Sequence, residues 1–289
     1  MTLARAAAFL VAVAGAAAAA APERARACAA CSLGDPTLAA FGTERPYEGR
    51  LRFTFEGRYR EDAVGEARVD RVALEELRAE LGAAWAPADD LFLQLALPVL
   101  FRHLREVNLA ETSLLATGDL ELRARWQLTR GLAATAGVSL PTAPTARRAD
   151  GSALPRELQP GSGSVDPSLG VAGTLDDYPL SLTGSAWLTA PTGDAGLSAR
   201  LSVAAQAQLA PALALRVAVD GRVDGKSTEH GVTERDSGGA IAFIGADVVI
   251  SPATDLVLTI GGRAPVWNAL AGWHDEGVVM FVGVAYDID

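Results

Sequence analysis

Apolar and polar residues alternate with a period of two along most of the chain, from about Tyr47 to Asp289. The run from Gly118 to Leu128 is the clearest example. From Leu120 onward, leucine, alanine and tryptophan occupy every second position, and charged residues and glutamine occupy the positions between them. Successive side chains of a β-strand point to opposite faces, whereas a helix of period 3.6 would mix the two sets. The pattern therefore predicts strands with one apolar and one polar face.

The alternation divides into about twelve runs, with turn-like breaks between them. The runs begin near residues 48, 70, 91, 118, 131, 163, 180, 196, 212, 238, 255 and 277. Short breaks of turn composition lie at 87–90, 129–131, 176–179, 210–211 and 251–255, and they alternate with mostly longer polar breaks at 61–69, 103–117, 144–161, 191–196, 226–237 and 267–276. This order is typical of a membrane barrel with both ends in the periplasm. We predict an all-β fold, a single antiparallel transmembrane β-barrel of about twelve strands with short periplasmic turns and longer extracellular loops.

The apolar positions of the alternation form the predicted lipid face. Well-defined examples are Leu91, Leu93, Leu95, Leu97, Val99, Phe101, Leu197, Leu201, Val203, Leu209, Leu213, Leu215, Val217 and Val219. Aromatic residues near strand ends are expected to lie at the two membrane interfaces; they are Tyr47, Trp85, Trp126, Tyr178, Trp267 and Tyr286.

The first 46 residues lack the alternation. Residues 1–27 have a basic start, an apolar stretch and a small-x-small site at 25–27, which predicts a signal peptide for export. Residues 28–46 would then form a periplasmic N-terminal segment that could enter the lumen or bind a periplasmic partner, with the barrel at 47–289. Cys28 and Cys31 could form a local disulfide in that oxidising compartment. Haem attachment would need His at position 32, where the chain has Ser, and a lipid anchor on Cys28 would favour Leu where Ala25 stands.

The polar positions of the alternation carry charged side chains of both signs. The predicted lumen-lining set is Arg50, Arg52, Glu56, Arg58, Arg60, Glu76, Arg78, Glu80, Glu121, Arg123, Arg125, Arg200, Arg216, Asp220, Arg222, Asp247 and Arg263. A charge costs about 2–4 kcal/mol at the lipid midplane and little in a wet lumen, and this difference predicts that the set faces inward.

Two interpretations of this lining stay open. The arginines could form a ladder that selects anionic solutes, since the guanidinium binds carboxylate and phosphate in a fork geometry. Alternatively, arginines and acids could pair with each other and fill a narrow barrel. The long break at 144–161 could also fold inward as a constriction or lid.

The sequence argues against several other functions. The formal net charge of −10 disfavours a nucleic-acid partner. The chain has no Gly-x-Ser-x-Gly elbow and no His-Glu-x-x-His motif, and its three histidines, His103, His230 and His274, lie in or beside predicted outer loops. We therefore predict no enzyme activity, no cofactor and no metal site.

Several segments in a fixed order carry a family resemblance. They are Val138–Thr142, Gly161–Gly170, Thr189–Gly193, Ser237–Gly239, the Ser251–Pro252 turn and Arg263–Val266, and the head Cys28–Pro36 adds to them. This order resembles the bacterial outer-membrane barrels of the phenol-degradation meta-pathway (MetA-like) family, over about residues 118–289. The resemblance implies an outer-membrane channel without implying phenol as its solute. The chain departs from barrels of this kind at its end, Tyr286–Asp289, where they usually finish on an aromatic residue.

These features together predict a channel or transporter in the bacterial outer membrane. Its partners would be outer-membrane lipid and small solutes, anionic or aromatic ones among them, and its oligomeric state stays open. The alternative is a non-conducting scaffold barrel that binds a partner through its loops or its N-terminal cysteines.

Overall fold

The fold is described from a computed structural model, which places residues 47–148, 150–154, 159–229, 232–233 and 235–288. The predicted signal peptide, the segment 28–46 with Cys28 and Cys31, and His230 lie outside the described residues. The described residues contain no helix long and apolar enough to cross a membrane. Their strands are β1 (Leu51–Val64), β2 (Val72–Ala88), β3 (Leu91–Glu106), β4 (Glu111–Thr117), β5 (Leu120–Thr129), β6 (Leu132–Leu140), β7 (Asp166–Asp177), β8 (Leu180–Thr189), β9 (Ser198–Ala210), β10 (Leu213–Asp224), β11 (Thr228–Glu229), β12 (Val232–Thr233), β13 (Gly239–Ala253), β14 (Leu256–Leu270) and β15 (His274–Ile288).

These strands form one closed antiparallel barrel. Neighbouring positions of the barrel wall follow the order of the chain, and β15 closes the ring on β1, from Leu51 opposite Ile288 to Val64 opposite His274. β4 and β5 both pair with β3 and together occupy one position in the wall, while β11 and β12 form a small separate hairpin. The barrel therefore has twelve strand positions, and the predicted fold class is confirmed.

The two ends of the barrel differ in their connections. Five connections at one end are two residues long, at 89–90, 130–131, 178–179, 211–212 and 254–255. Residues 47 and 288 lie at this end as well, and we call it the turn end. The opposite end, the loop end, carries the longer connections, of which residues 141–165 (the β6–β7 loop) and 225–238 are the longest. Two-residue connections suit antiparallel neighbours because they reverse the chain within one hairpin turn.

Some predicted outer loops are instead extended strands. The predicted break at 103–117 is a hairpin in which β3 continues to Glu106 and pairs with β4, so that only residues 107–110 connect them. Near the loop end, polar residues occupy both faces of the strands, as with Arg102 inside and His103 outside. The alternation of apolar and polar residues therefore disappears there, although the backbone pairing continues.

The outer face of the barrel carries the apolar positions. Leu95, Leu201, Val217 and Ile260 are each at least 40% exposed, as expected for side chains that contact lipid rather than a protein core. The predicted interface aromatics are exposed too: Tyr47, Trp85, Trp126, Tyr178, Trp267 and Tyr286.

The break between β4 and β5 has a local cause. A Cβ on Gly118 would lie 2.7 Å from Pro98 Cγ of β3, so a larger residue could not keep the backbone this close to the neighbouring strand. The next residue, Asp119, uses its carboxylate to accept hydrogen bonds from the backbone N–H groups of Ala143 and Ser162 at 3.1 and 2.7 Å. The break therefore anchors both ends of the β6–β7 loop to the barrel wall.

Candidate functional site

Charged side chains inside the barrel contact each other across intervening strands. Arg123 of β5 reaches Glu80 of β2 at 3.1 Å over β3, and Arg263 of β14 reaches Asp220 of β10 at 2.7 Å over β13. Side chains converge on the concave face of a barrel and diverge on its convex face, so contacts that skip a strand place these groups in the interior.

The first interior network joins β1, β2, β3 and β5. The buried carboxylate of Glu76 accepts hydrogen bonds from Arg60 at 3.0 Å and from Arg102 at 2.5 Å. Beside it, Arg78 donates to Glu80 at 2.7 Å and to Glu121 at 3.3 Å. Paired and hydrogen-bonded in this way, the buried charges avoid most of the cost of desolvation.

The second network lies on the opposite wall and is more deeply buried. Arg263 is 1% exposed, donates to Asp220 at 2.7 Å and forms two hydrogen bonds to Asp247, one of them 3.0 Å long. Arg216 donates to the same Asp247 carboxylate at 2.6 Å, and Ser202 donates to Asp220 at 2.6 Å. Every carboxylate oxygen of this group therefore has a donor.

A third group joins the first and last strands at the turn end. Asp287 of β15 accepts from Arg50 at 2.5 Å and from Arg52 at 2.6 and 2.7 Å, and all three residues are buried. Because β1 and β15 are the two strands whose pairing closes the ring, this cluster stabilises the closure of the barrel.

A fourth group lies on the inner wall near the loop end. His274 Nε2 lies 3.0 Å from Asp62 and 3.7 Å from Glu276, and these three residues could together offer ligands to a metal ion. Both carboxylates already face cations, however, since Arg222 hydrogen-bonds Glu276 and Arg60 lies 3.7 Å from Asp62. A divalent ion would have to displace these arginines, so the group is an ion-pair cluster.

Two neighbouring cavities among these networks share part of their lining. One, of about 260 Å³, is lined by the hydroxyls of Ser139, Ser168 and Thr189 as well as by charged residues, and we call it the hydroxyl chamber. The other, of about 240 Å³, we call the arginine chamber; its lining is Arg58, Arg60, Glu76, Arg78, Arg102, Arg200, Asp220, Gly221, Arg222, Phe243, Arg263, Glu276 and Val279. Arg58, Arg78 and Arg200 line both cavities and so form the boundary between them.

Arg200 differs from the other arginines of this boundary. Arg58 pairs with Glu56 and Arg78 pairs with Glu80, but Arg200 forms no hydrogen bond or ion pair with any residue that the structure describes. It is exposed to water although it lines the interior, and its partner in the β-ladder is another arginine, Arg222.

The β6–β7 loop covers part of the interior at the loop end. Leu154 is 5% exposed and packs with Leu74 and Leu104 of the inner wall. Arg102 reaches up from the wall and donates to the backbone carbonyl of Gln159 at 2.7 Å. The inward folding that the sequence allowed is therefore present in the described part of this loop.

The predicted lumen-lining residues fall into three levels of burial. The buried ones are Arg50, Arg52, Glu76, Arg123, Arg125, Arg216, Asp220, Asp247 and Arg263, the partly buried ones are Glu56, Arg58, Arg60, Arg78, Glu80, Glu121 and Arg222, and Arg200 is exposed. The structure brings most of them into the networks described above, with Arg200 as an exception, and whether solutes pass along them stays a prediction.

Sequence reasoning missed several members of these networks. Arg102 belongs to the polar positions of β3 and lies beside the predicted break that begins at residue 103, at the end of a run that was predicted as a strand. Glu276 and Asp62 fall in predicted breaks, and Asp287 lies in the chain end. The alternation extended to the strand ends would have found Arg102, Asp62 and Asp287, but not Glu276, because the register of β15 against β1 shifts between Val279 and Glu276. His103 lies on the outer face, where Nδ1 is 3.0 Å from the Ser113 hydroxyl.

Comparison with known proteins gives structural relatives only. No protein-family model and no curated protein matches the chain. An outer membrane channel from Pseudomonas putida F1 superimposes with a TM-score of 0.64 at 15% identity, over 85% of this chain and 98% of that one. The translocator domain of the autotransporter NalP from Neisseria meningitidis has a TM-score of 0.54 at 10% identity, over 84% and 90% of the two chains. The monoaromatic hydrocarbon channel CymD has a TM-score of 0.51 at 9% identity, over 84% and 89%. At these identities the likeness shows the fold alone, and that fold is the bacterial outer-membrane β-barrel.

Proposed function

We propose that the protein is an outer-membrane channel for small solutes. The observation that carries the proposal is the pair of water-accessible chambers, lined by arginines and carboxylates, inside a closed barrel with an apolar outer face. Solutes would diffuse past these side chains, with the β6–β7 loop screening the entrance. Residues 1–27 would direct export and be removed, and residues 28–46 would precede the barrel in the periplasm.

Two further observations support this function. Structural relatives include a protein described as an outer membrane channel and one described as a monoaromatic hydrocarbon channel. The MetA-like resemblance of residues 118–289 points to the same class. We propose that the chain serves transport rather than catalysis and that its solutes are small and anionic or aromatic.

The ion pairs of the interior would act on permeation by fixing the shape of the path. The buried carboxylates Glu76, Asp220 and Asp247 each accept at least two hydrogen bonds, so the paired groups change position only at a large cost. A passing anion would therefore meet arginines whose positions are already set, which lowers the entropic cost of binding each solute.

Conductance tests the proposal. Refolded mature protein inserted in a planar bilayer should give discrete current steps, and a salt gradient should give a reversal potential that reports ion preference. Arg105 is exposed on the outward side of β3, so Arg105→Gln removes one positive charge without touching the chambers and serves as the control for lumen variants. A barrel that is inserted and shows the gel mobility shift of a folded barrel but stays silent would contradict the channel function.

One observation favours the non-conducting scaffold instead. Inner-wall side chains on several strands are almost inaccessible to water: Arg52 and Arg263 are each 1% exposed, and Asp247 is 2% exposed. A scaffold that binds a partner through its N-terminal cysteines would lose that binding in a Cys28→Ser/Cys31→Ser variant while its conductance stayed the same. Retained binding in this variant would remove the cysteine version of the scaffold.

A further inference from the structure

The arginine chamber has an excess of cationic side chains. Its lining includes seven arginines but only three carboxylates, Glu76, Asp220 and Glu276, and each of these carboxylates is already engaged by at least one arginine. The hydroxyl chamber is balanced by comparison, with four arginines and four acids in its lining. Six of the seven arginines form ion pairs with acids in or beside the arginine chamber, so the cationic charge left for an anion there is that of Arg200.

Arg200 gives this excess a specific location. Its guanidinium carries up to five N–H donors and meets no described acceptor, and its ladder partner Arg222 is occupied by Asp224 at 2.5 Å and by Glu276. Like charges directly opposite each other in a sheet destabilise it, unless something of opposite sign lies between them. A bound anion would remove this repulsion.

Two further donors beside Arg200 also lack acceptors. The Nε–H of Arg78, which lines both chambers, is buried without a hydrogen-bond partner among the described residues. The same holds for the indole N–H of Trp187, a residue that is 5% exposed and is the ladder partner of Arg200 on the other side. A buried donor without an acceptor is unfavourable, so the region around Arg200 is short of acceptors rather than of donors.

The remaining lining of the arginine chamber limits the size of the ligand and favours one with an apolar part. At about 240 Å³ the chamber is smaller than the pockets of about 300–1,000 Å³ that take drug-sized molecules. Phe243 and Val279 add apolar surface to a wall that is otherwise charged. A carboxylate can accept two parallel hydrogen bonds from one guanidinium, while an apolar or aromatic body would lie against Phe243.

We propose that the arginine chamber binds a small organic carboxylate, with Arg200 as its main contact. The proposal rests on the proposed channel function, since it names the class of solute that the channel would take. Arg58 and Arg78 complete the boundary between the chambers, so a solute bound here would lie on the path between them.

Binding to the folded mature protein in detergent tests the proposal by calorimetry. The probes are benzoate, its neutral isostere benzamide, acetate and inorganic phosphate. We expect benzoate to bind at least tenfold more tightly than benzamide, because only benzoate carries a negative charge that can pair with Arg200. Benzoate should also bind more tightly than acetate, because acetate has no aromatic ring to contact Phe243. Equal affinities for benzoate and benzamide would overturn the proposal, and phosphate binding tighter than benzoate would overturn the carboxylate class.

Variants locate the site. We expect Arg200→Gln to weaken benzoate binding at least tenfold, Arg200→Lys to weaken it less, and the control Arg105→Gln to leave it unchanged. The gel mobility shift of unboiled protein confirms that each variant is folded. Unchanged benzoate affinity in folded Arg200→Gln protein would remove Arg200 from the site and sink the proposal. A protein that conducts without this binding overturns the carboxylate site alone, whereas a silent barrel that binds benzoate overturns the channel alone.

Discussion

The substitution Arg263→Gln tests how far the barrel depends on its buried ion pairs. Arg263 is 1% exposed, hydrogen-bonds both Asp220 and Asp247, and stacks over the Phe281 ring with its guanidinium carbon 5.2 Å from the ring centre. Glutamine keeps part of the side-chain volume and a polar end but removes the charge. Two carboxylates, 5% and 2% exposed, would then share fewer donors.

The magnitude follows from what each carboxylate retains. Three hydrogen bonds from Arg263 to carboxylates are lost, each worth about 1.5–3 kcal/mol when one partner is charged. Asp247 keeps Arg216 and Asp220 keeps Ser202, both at 2.6 Å, so the loss is smaller than the sum of the bonds. Removing one partner of a buried ion pair costs about 3–5 kcal/mol, and we expect Arg263→Gln to lower the free energy of unfolding by an amount in that range.

Arg200→Gln is the matched comparison, because it removes the same group from the same lumen without leaving a described carboxylate unpaired. It should leave the free energy of unfolding unchanged or raise it slightly, since it ends the repulsion with Arg222. Urea titration of both variants in lipid vesicles, followed by tryptophan fluorescence and by the gel mobility shift, measures the difference. A loss of less than about 1 kcal/mol in Arg263→Gln, or an equal loss in both variants, would refute the reasoning.

Three other predictions concern the ends of the barrel. Leu154→Ser should loosen the β6–β7 loop from the inner wall and raise single-channel conductance, and unchanged conductance would show that this loop does not limit the entrance. Asp287→Asn should weaken the closure of β1 on β15 and lower the free energy of unfolding by about 1.5–3 kcal/mol in the same urea titration. In the loops, a hydrogen bond from Arg235 holds the pKa of Asp236 below its usual value, and Asp236 also accepts from the backbone N–H of Trp273. A lowered carboxyl pKa contributes stability above its unfolded value of about 3.9, and this stability is lost as the pH falls through the folded value. The protection factor of the Trp273 amide, which corrects for the intrinsic exchange rate, should therefore fall below about pH 4.

The strands, and the face on which each of their side chains lies, could be predicted from the sequence because both depend on the order of neighbouring residues. A period of two decides which side of a strand each residue occupies, so Leu120 to Leu128 sort correctly without knowledge of the neighbours. All but one of the predicted starts lie within three residues of the strands that the structure shows, and the exception marks β4 and β5, whose common barrel position begins at Glu111.

The pairing of charges could not be predicted in the same way. Arg222 of β10 meets Glu276 of β15 across two intervening strands, and this contact depends on the tilt and stagger with which the barrel closes. A sequence pattern gives the facing of both residues but not their relative height in the barrel. The unpaired state of Arg200 is a property of the closed barrel for the same reason.

The two interpretations of the lumen are therefore not exclusive alternatives. Most inward arginines are engaged by carboxylates, as a packed interior requires, and these pairs make the inner wall rigid. Selectivity in such a wall depends on the charge that is left over rather than on the number of arginines, because a paired guanidinium presents little net field to a solute. Among the residues that the structure describes, Arg200 is an inward arginine without such a partner, and it lies opposite Arg222 in the ladder. A barrel can thus be stabilised by its ion pairs and still offer one defined position to an anion.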